Sequence, residues 1–222
     1  MVHIPFAILQ AMASPKQKTC QHIECVANKP DGWLTWPNLT TVLRTLATVI
    51  LVGWGVWKHS ELLLFVGLAA YWLGDMADGA LARLIKQETR TGAVFDILSD
   101  RLCVALFYVS YAGFHHDMIV PIAIFLFNFM LVDNQLSLAF LKWPIMSPNY
   151  FYAVDKLVYK LNWSPLAKST NTSLFLITVV LTHLWWLAAL IALFFLVLKL
   201  YSTVLVGRLS VPRTYQTCMY AR

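Results

Sequence analysis

Between residues 40 and 206 the chain carries a succession of apolar runs, at about 40–57, 61–84, 93–114, 118–141, 170–183 and 184–206. Most approach the ~20 residues that a helix needs to cross a bilayer's hydrocarbon core. A segment in hydrocarbon must satisfy its own backbone hydrogen bonds, so runs of this kind fold as helices packed side by side. Only 13% of the residues are charged and 59% are apolar, whereas a soluble domain has about a quarter of its residues charged. That balance excludes a water-soluble globule, a disordered chain and a disulfide scaffold. The expected fold class is all-α integral membrane, with six transmembrane helices.

What lies between the runs sets the orientation. Residues 1–37 form an N-terminal arm whose apolar patch, Ile4 to Met12, is too short to span and lacks a basic flank. It reads as an amphipathic segment lying on the membrane surface rather than a cleaved signal peptide. Residues 38–207 form the membrane domain and 208–222 a tail. Lysine and arginine gather in the arm (Lys16, Lys18, Lys29), after the second run (Arg83, Lys86, Arg90), in the gap at 142–169 (Lys142, Lys156, Lys160, Lys168) and in the tail. Lys58 stands alone on the opposite side, with His115, His116 and His183. By the positive-inside rule both termini face the cytoplasm, which requires an even number of spans. The net charge of +6 and the many aromatic residues then read as membrane anchors, not as a nucleic-acid surface. Cys20, Cys25, Cys103 and Cys218 show no metal or disulfide spacing.

Four carboxylates interrupt this apolar pattern within 26 residues: Asp75, Asp78, Asp96 and Asp100. At the bilayer centre each costs ~2.5–3.5 kcal/mol on insertion scales, so the position of all four needs compensation. Asp75 and Asp78 are i, i+3 on the second helix, and Asp96 and Asp100 are i, i+4 on the third, so each pair shares a face. Consecutive helices joined by a short turn are antiparallel neighbours, which brings the pairs to one depth near the cytoplasmic surface. Arg83 alone supplies too little positive charge. Hard divalent ions with oxygen ligands, such as Mg²⁺, answer the need and complete their shells with phosphates. From the residues alone, an acid-lined pathway of a cation transporter stays open beside this reading.

The segment Asp75-Met-Ala-Asp78-Gly79-Ala-Leu-Ala82-Arg83, eight residues, then Gly92-Ala-Val-Phe-Asp96-Ile-Leu-Ser-Asp100 resembles the signature of the CDP-alcohol phosphotransferase family (CDP-alcohol phosphatidyltransferases). All eight defining positions are met. Upstream, Pro37-Asn38-Leu39-Thr40-Thr41-Val42-Leu43-Arg44 resembles the family's opening of the first span. The resemblance implies an enzyme that moves a phosphoryl-linked group from a CDP-activated donor to an alcohol and releases CMP. It further implies two Mg²⁺ or Mn²⁺ ions on Asp75, Asp78, Asp96 and Asp100, with Asp100 also the general base. Gly79, Ala82, Arg83 and Gly92 would hold the nucleotide, with Asn38 and Thr41; on residue type alone, Asn38 and Thr41 read as a helix cap. A homodimer is implied as well.

The implied donor is CDP-diacylglycerol, drawn from membrane lipid, and the acceptor a small polar alcohol from the cytosol, such as glycerol 3-phosphate or an inositol phosphate. Ser164-Pro-Leu-Ala-Lys168-Ser-Thr170 loosely resembles the family's basic stretch before the fifth span, which makes Lys168 the candidate phosphate ligand. Asp133 stands where phosphate-acceptor enzymes often carry Arg. It is the candidate partner of Lys168 or of an amino alcohol, beside the plainer reading of a pair with a base on a neighbouring helix. A CDP-choline or CDP-ethanolamine donor with a lipid acceptor remains the alternative enzyme.

Overall fold

The computed structural model describes residues 32–211. The surface-lying arm expected at 1–37 falls almost wholly outside the described residues, as do Cys20, Cys25, Cys218 and most of the tail. Among the described residues the chain is helical. The long elements are α1 (Trp36–Trp57), α2 (Glu61–Leu84), α3 (Arg90–Phe114), α4 (His116–Lys142), α5 (Lys156–Asn162), α6 (Pro165–Ile177) and α7 (Trp185–Gly207). Four of these, α1, α2, α4 and α7, are long and apolar enough to cross a membrane. Of the two other expected spans, α3 has 25 residues but carries Arg90, Asp96, Asp100 and Arg101, and α6 is a 13-residue helix prolonged by a π-helical turn, Thr178–Thr182.

Local chemistry explains the helix ends. Thr35 caps α1, accepting from the Asn38 amide, and Pro37 sits in the first turn, where its missing N–H costs nothing. The cap is therefore Thr35, and Asn38, read from sequence as a possible cap, instead donates to the Trp33 carbonyl at 2.8 Å. Thr89 caps α3 through the Gly92 amide at 2.9 Å. The expected break between the last two runs falls at His183, which takes a left-handed backbone (φ 51°) before α7 begins at Trp185.

α1 and α2 form a tight hairpin along most of their length, made possible by small residues at the crossing. A Cβ on Gly67 would lie 2.7 Å from Val52 Cγ2, and one on Gly55 2.9 Å from Leu64 Cδ2. The main core joins α1, through Val52, with α2, α3, α4, α6 and α7 around Phe107, Tyr108, Phe125 and Phe175; the Phe125 and Phe175 rings are stacked 4.3 Å apart. The gap at 142–169 folds into a 3₁₀ turn (Pro148–Ala153) and α5, sealed by Trp143, Phe151 and Trp163. This knot roofs the end of the bundle where the four aspartates lie, and its residues help to line the cavities described next.

Candidate active site

Asp75 and Asp78 on α2 and Asp96 and Asp100 on α3 meet as their spacing requires. Oxygens of Asp75, Asp78 and Asp96 lie within 4.8 Å of one another, close enough to hold one metal ion. The centre of the cluster is taken by a residue to which sequence reasoning assigned no role. Arg44 of α1, its side chain 2% exposed, ion-pairs with all four acids. Its Nε lies 2.8 Å from Asp78, one terminal nitrogen 2.9 Å from Asp100 and 3.5 Å from Asp75, and the other reaches Asp96.

The fold is shaped to admit this side chain. Gly74, one turn before Asp78, leaves the notch in which the Arg44 stem lies, since a Cβ there would sit 2.9 Å from Arg44 Cδ. The guanidinium carbon is 5.3 Å from the centre of the Tyr71 ring, a cation–π contact. Thr41, one turn earlier on α1, donates to Asp78 at 2.8 Å. A signal was present in the sequence: Arg44, Arg101 and Lys199 fall in the interior of apolar runs, away from their ends, and each has an acid partner.

One guanidinium against four carboxylates leaves three formal negative charges unbalanced when all are ionised. Asp78 is buried, whereas Asp75 and Asp96 are 42% and 40% exposed and face a cavity. An all-carboxylate donor set with an open side suits hard cations of the Mg²⁺ kind, and the residues present fit such a group.

Two cavities flank the acids. The smaller, about 100 Å³, is bordered by all six residues expected to hold a nucleotide: Asn38, Thr41, Gly79, Ala82, Arg83 and Gly92. Gly92 has no room for a side chain, because a Cβ would come within 2.7 Å of Asn38 Oδ1 and 2.8 Å of Thr89 Oγ1. Gly79 leaves the Arg83 fork 3.6 Å from where its own Cβ would be. The larger cavity, about 340 Å³, runs from Asp75, Asp96 and Asp100 past Lys168 to Asp133 and Lys199. That volume lies at the small end of the range typical of ligand pockets.

Both acceptor-side candidates line the larger cavity but do not meet. Lys168 donates to Asn149 at the roof. Asp133 is bound by Arg101 of α3 and Lys199 of α7, each at 2.7 Å, so the plainer reading of that residue holds and its pairing with Lys168 is not found. The spacing of Asp133 could not reveal this, because the partners come from helices 32 residues before and 66 after it.

The sequence model describing CDP-alcohol phosphatidyltransferases matches residues 34–205. A CDP-diacylglycerol–glycerol-3-phosphate 3-phosphatidyltransferase of Cereibacter sphaeroides is 33% identical over 104 residues, covering 44% of this chain and 47% of that protein. The match thus spans about half the length of the curated relative. No solved structure matches the chain.

Proposed function

Since the chain belongs to the CDP-alcohol phosphatidyltransferase family, we propose that it is a six-span membrane enzyme transferring a phosphatidyl group from CDP-diacylglycerol to a small polar alcohol. The carrying observation is the meeting of Asp75, Asp78, Asp96 and Asp100 at one end of the bundle, between the small pocket bordered by Gly79, Ala82, Arg83 and Gly92 and a larger cavity. The glycerol 3-phosphate named for the bacterial relative supports a phosphorylated polyol as acceptor. The distribution of lysine and arginine supports placing this end, and both termini, at the cytoplasmic side.

Asp75, Asp78, Asp96 and Asp100 would hold two divalent ions, Mg²⁺ or Mn²⁺. Such ions, when bound, offset charge on the diphosphate and on departing CMP. The chain's own residues do the rest. Asn38, Thr41, Gly79, Ala82, Arg83 and Gly92 border the place for cytidine and its phosphates, where the Arg83 fork matches phosphate geometry. Asp100, at the junction with the larger cavity, takes the proton from the acceptor hydroxyl. The acceptor oxygen then bonds to the phosphorus bearing diacylglycerol, and the bond from that phosphorus to the CMP oxygen breaks. Lys168 at the cavity roof offers its ammonium to the acceptor's phosphate.

The test is CMP release from labelled CDP-diacylglycerol by purified protein with Mg²⁺, compared with CDP-choline as donor. Asp100→Asn should lower the rate by about 100-fold or more, in keeping with loss of a general base. Cation flux in proteoliposomes with no cytidine dependence would instead restore the transporter reading.

A further inference from the structure

One side of the larger cavity has a composition that the phosphotransfer step does not use. Asp133, Arg101 and Lys199 meet there, and Arg101 also donates to the Ser137 hydroxyl at 3.1 Å. Both oxygens of the Asp133 carboxylate are engaged, one by each base, and the Arg101 guanidinium lies 3.9 Å over the Phe129 ring. Beside this triad stand two buried amides. Asn128 is 4% exposed and Asn162 3% exposed, both line the cavity, and among the described residues the Oδ1 of each lacks a hydrogen-bond partner. The Asn162 amide nitrogen is committed to Val158 and to Ser202 of α7, so its oxygen is the end left over.

The backbone is adapted to this arrangement. Asn128 and Asp133 bound a π-helical segment within α4, and in a π-helix residues five apart are joined by the i→i+5 bond. The two therefore come onto one side of the helix and line the same cavity. A buried carbonyl oxygen with no donor is costly unless something supplies one.

On the proposed transferase reading, we infer that Asp133, Arg101, Lys199, Asn128 and Asn162 form a floor that selects the acceptor: a polyol whose hydroxyls reach the asparagines, to the exclusion of amino alcohols. A hydroxyl both donates and accepts, so it can donate to an Asn Oδ1 and accept a hydrogen bond from Lys199 at once. An ammonium could donate to an Asn Oδ1 but cannot accept from Lys199, and it would bring a second positive charge beside the bases. The Asp133 carboxylate is already shared by two cations, and the triad as a whole carries one positive charge, which repels another. Asp133 thus serves as an internal anion that offsets one of the two positive charges and holds both bases in place, not as a hook for an amine.

Purified full-length protein with Mg²⁺ and labelled CDP-diacylglycerol, offered glycerol 3-phosphate, inositol 1-phosphate, glycerol, serine, ethanolamine or choline, tests the inference by lipid separation and CMP assay. The expected result is product with the amine-free polyols, and with each amine less than about a hundredth of the best rate. Asn128→Ala and Asn162→Ala should each raise the acceptor KM about tenfold, with kcat and the CDP-diacylglycerol KM within about twofold. Two variants are used so that misfolding of one, seen in its thermal transition, leaves the other to decide. Product from serine or ethanolamine at a comparable rate, or an unchanged acceptor KM in the folded variants, overturns the floor while leaving the transferase intact. No CMP release with any acceptor from protein that still binds CDP overturns both.

Discussion

Replacing Arg44 by Met removes the one cation at the centre of the four aspartates while keeping a side chain of similar reach. Its pair with Asp78 is buried on both sides, 2% and 5% exposed, and breaking such a pair costs about 3–5 kcal/mol because a carboxylate is left stranded. The pairs with Asp75 and Asp96 are half open to solvent and add less than ~1 kcal/mol each. The expected loss in chelator is therefore about 4 kcal/mol, dominated by Asp78. Added Mg²⁺ gives the same carboxylates another counter-charge, so the loss should shrink to about 1–2 kcal/mol, the part owed to packing in the Gly74 notch and on Tyr71. Unfolding titrations in mixed micelles, on wild type and Arg44→Met, each with EDTA and with Mg²⁺, measure all four values. A loss below ~1 kcal/mol in EDTA, or the same loss in both conditions, would refute the view of Arg44 as counter-ion to the cluster.

Other consequences are as direct. Gly92→Ala forces a methyl against Asn38 and Thr89, so the start of α3 must shift; we expect a loss of about 1–3 kcal/mol together with weaker CDP binding by calorimetry, and unaltered affinity would argue against a nucleotide beside Gly92. Lys168→Gln should raise the KM for a phosphorylated acceptor about 10- to 100-fold, as expected for a charge-assisted hydrogen bond, and leave the KM for glycerol unchanged; an equal effect on both would remove Lys168 from phosphate binding. Chelation should abolish CMP release and Mg²⁺ or Mn²⁺ restore it, while Ca²⁺, larger and less demanding of octahedral geometry, restores less. Turnover that persists in excess chelator would show that the carboxylates work without an ion.

Much of the site was open to inspection along the chain. Asp75 with Asp78, and Asp96 with Asp100, lie on shared helix faces because helical periodicity is a property of sequence spacing alone. The joining of those faces followed from a connection too short to permit anything but antiparallel neighbours. Gly79, Ala82, Arg83 and Gly92 came from the motif and Asn38 and Thr41 from the segment that opens the first span, and the fold does place all six around one space. The helix ends were less legible: Thr35 rather than Asn38 caps α1, since which of two polar residues one turn apart takes the cap depends on where the backbone leaves the helical region. The two π-helical turns left no composition signal, because they are set by what the segment packs against.

Spacing within a helix, the apolar class of the chain and the acid pairs thus belong to the sequence by itself. The partners of the buried charges belong to the tertiary structure. That Arg44 serves the four aspartates and that Arg101 and Lys199, not Lys168, close on Asp133 depends on the depth and rotation of helices far apart in the chain. A charge in an apolar run announces that it needs a partner, but which one it finds is decided only when the helices are packed together.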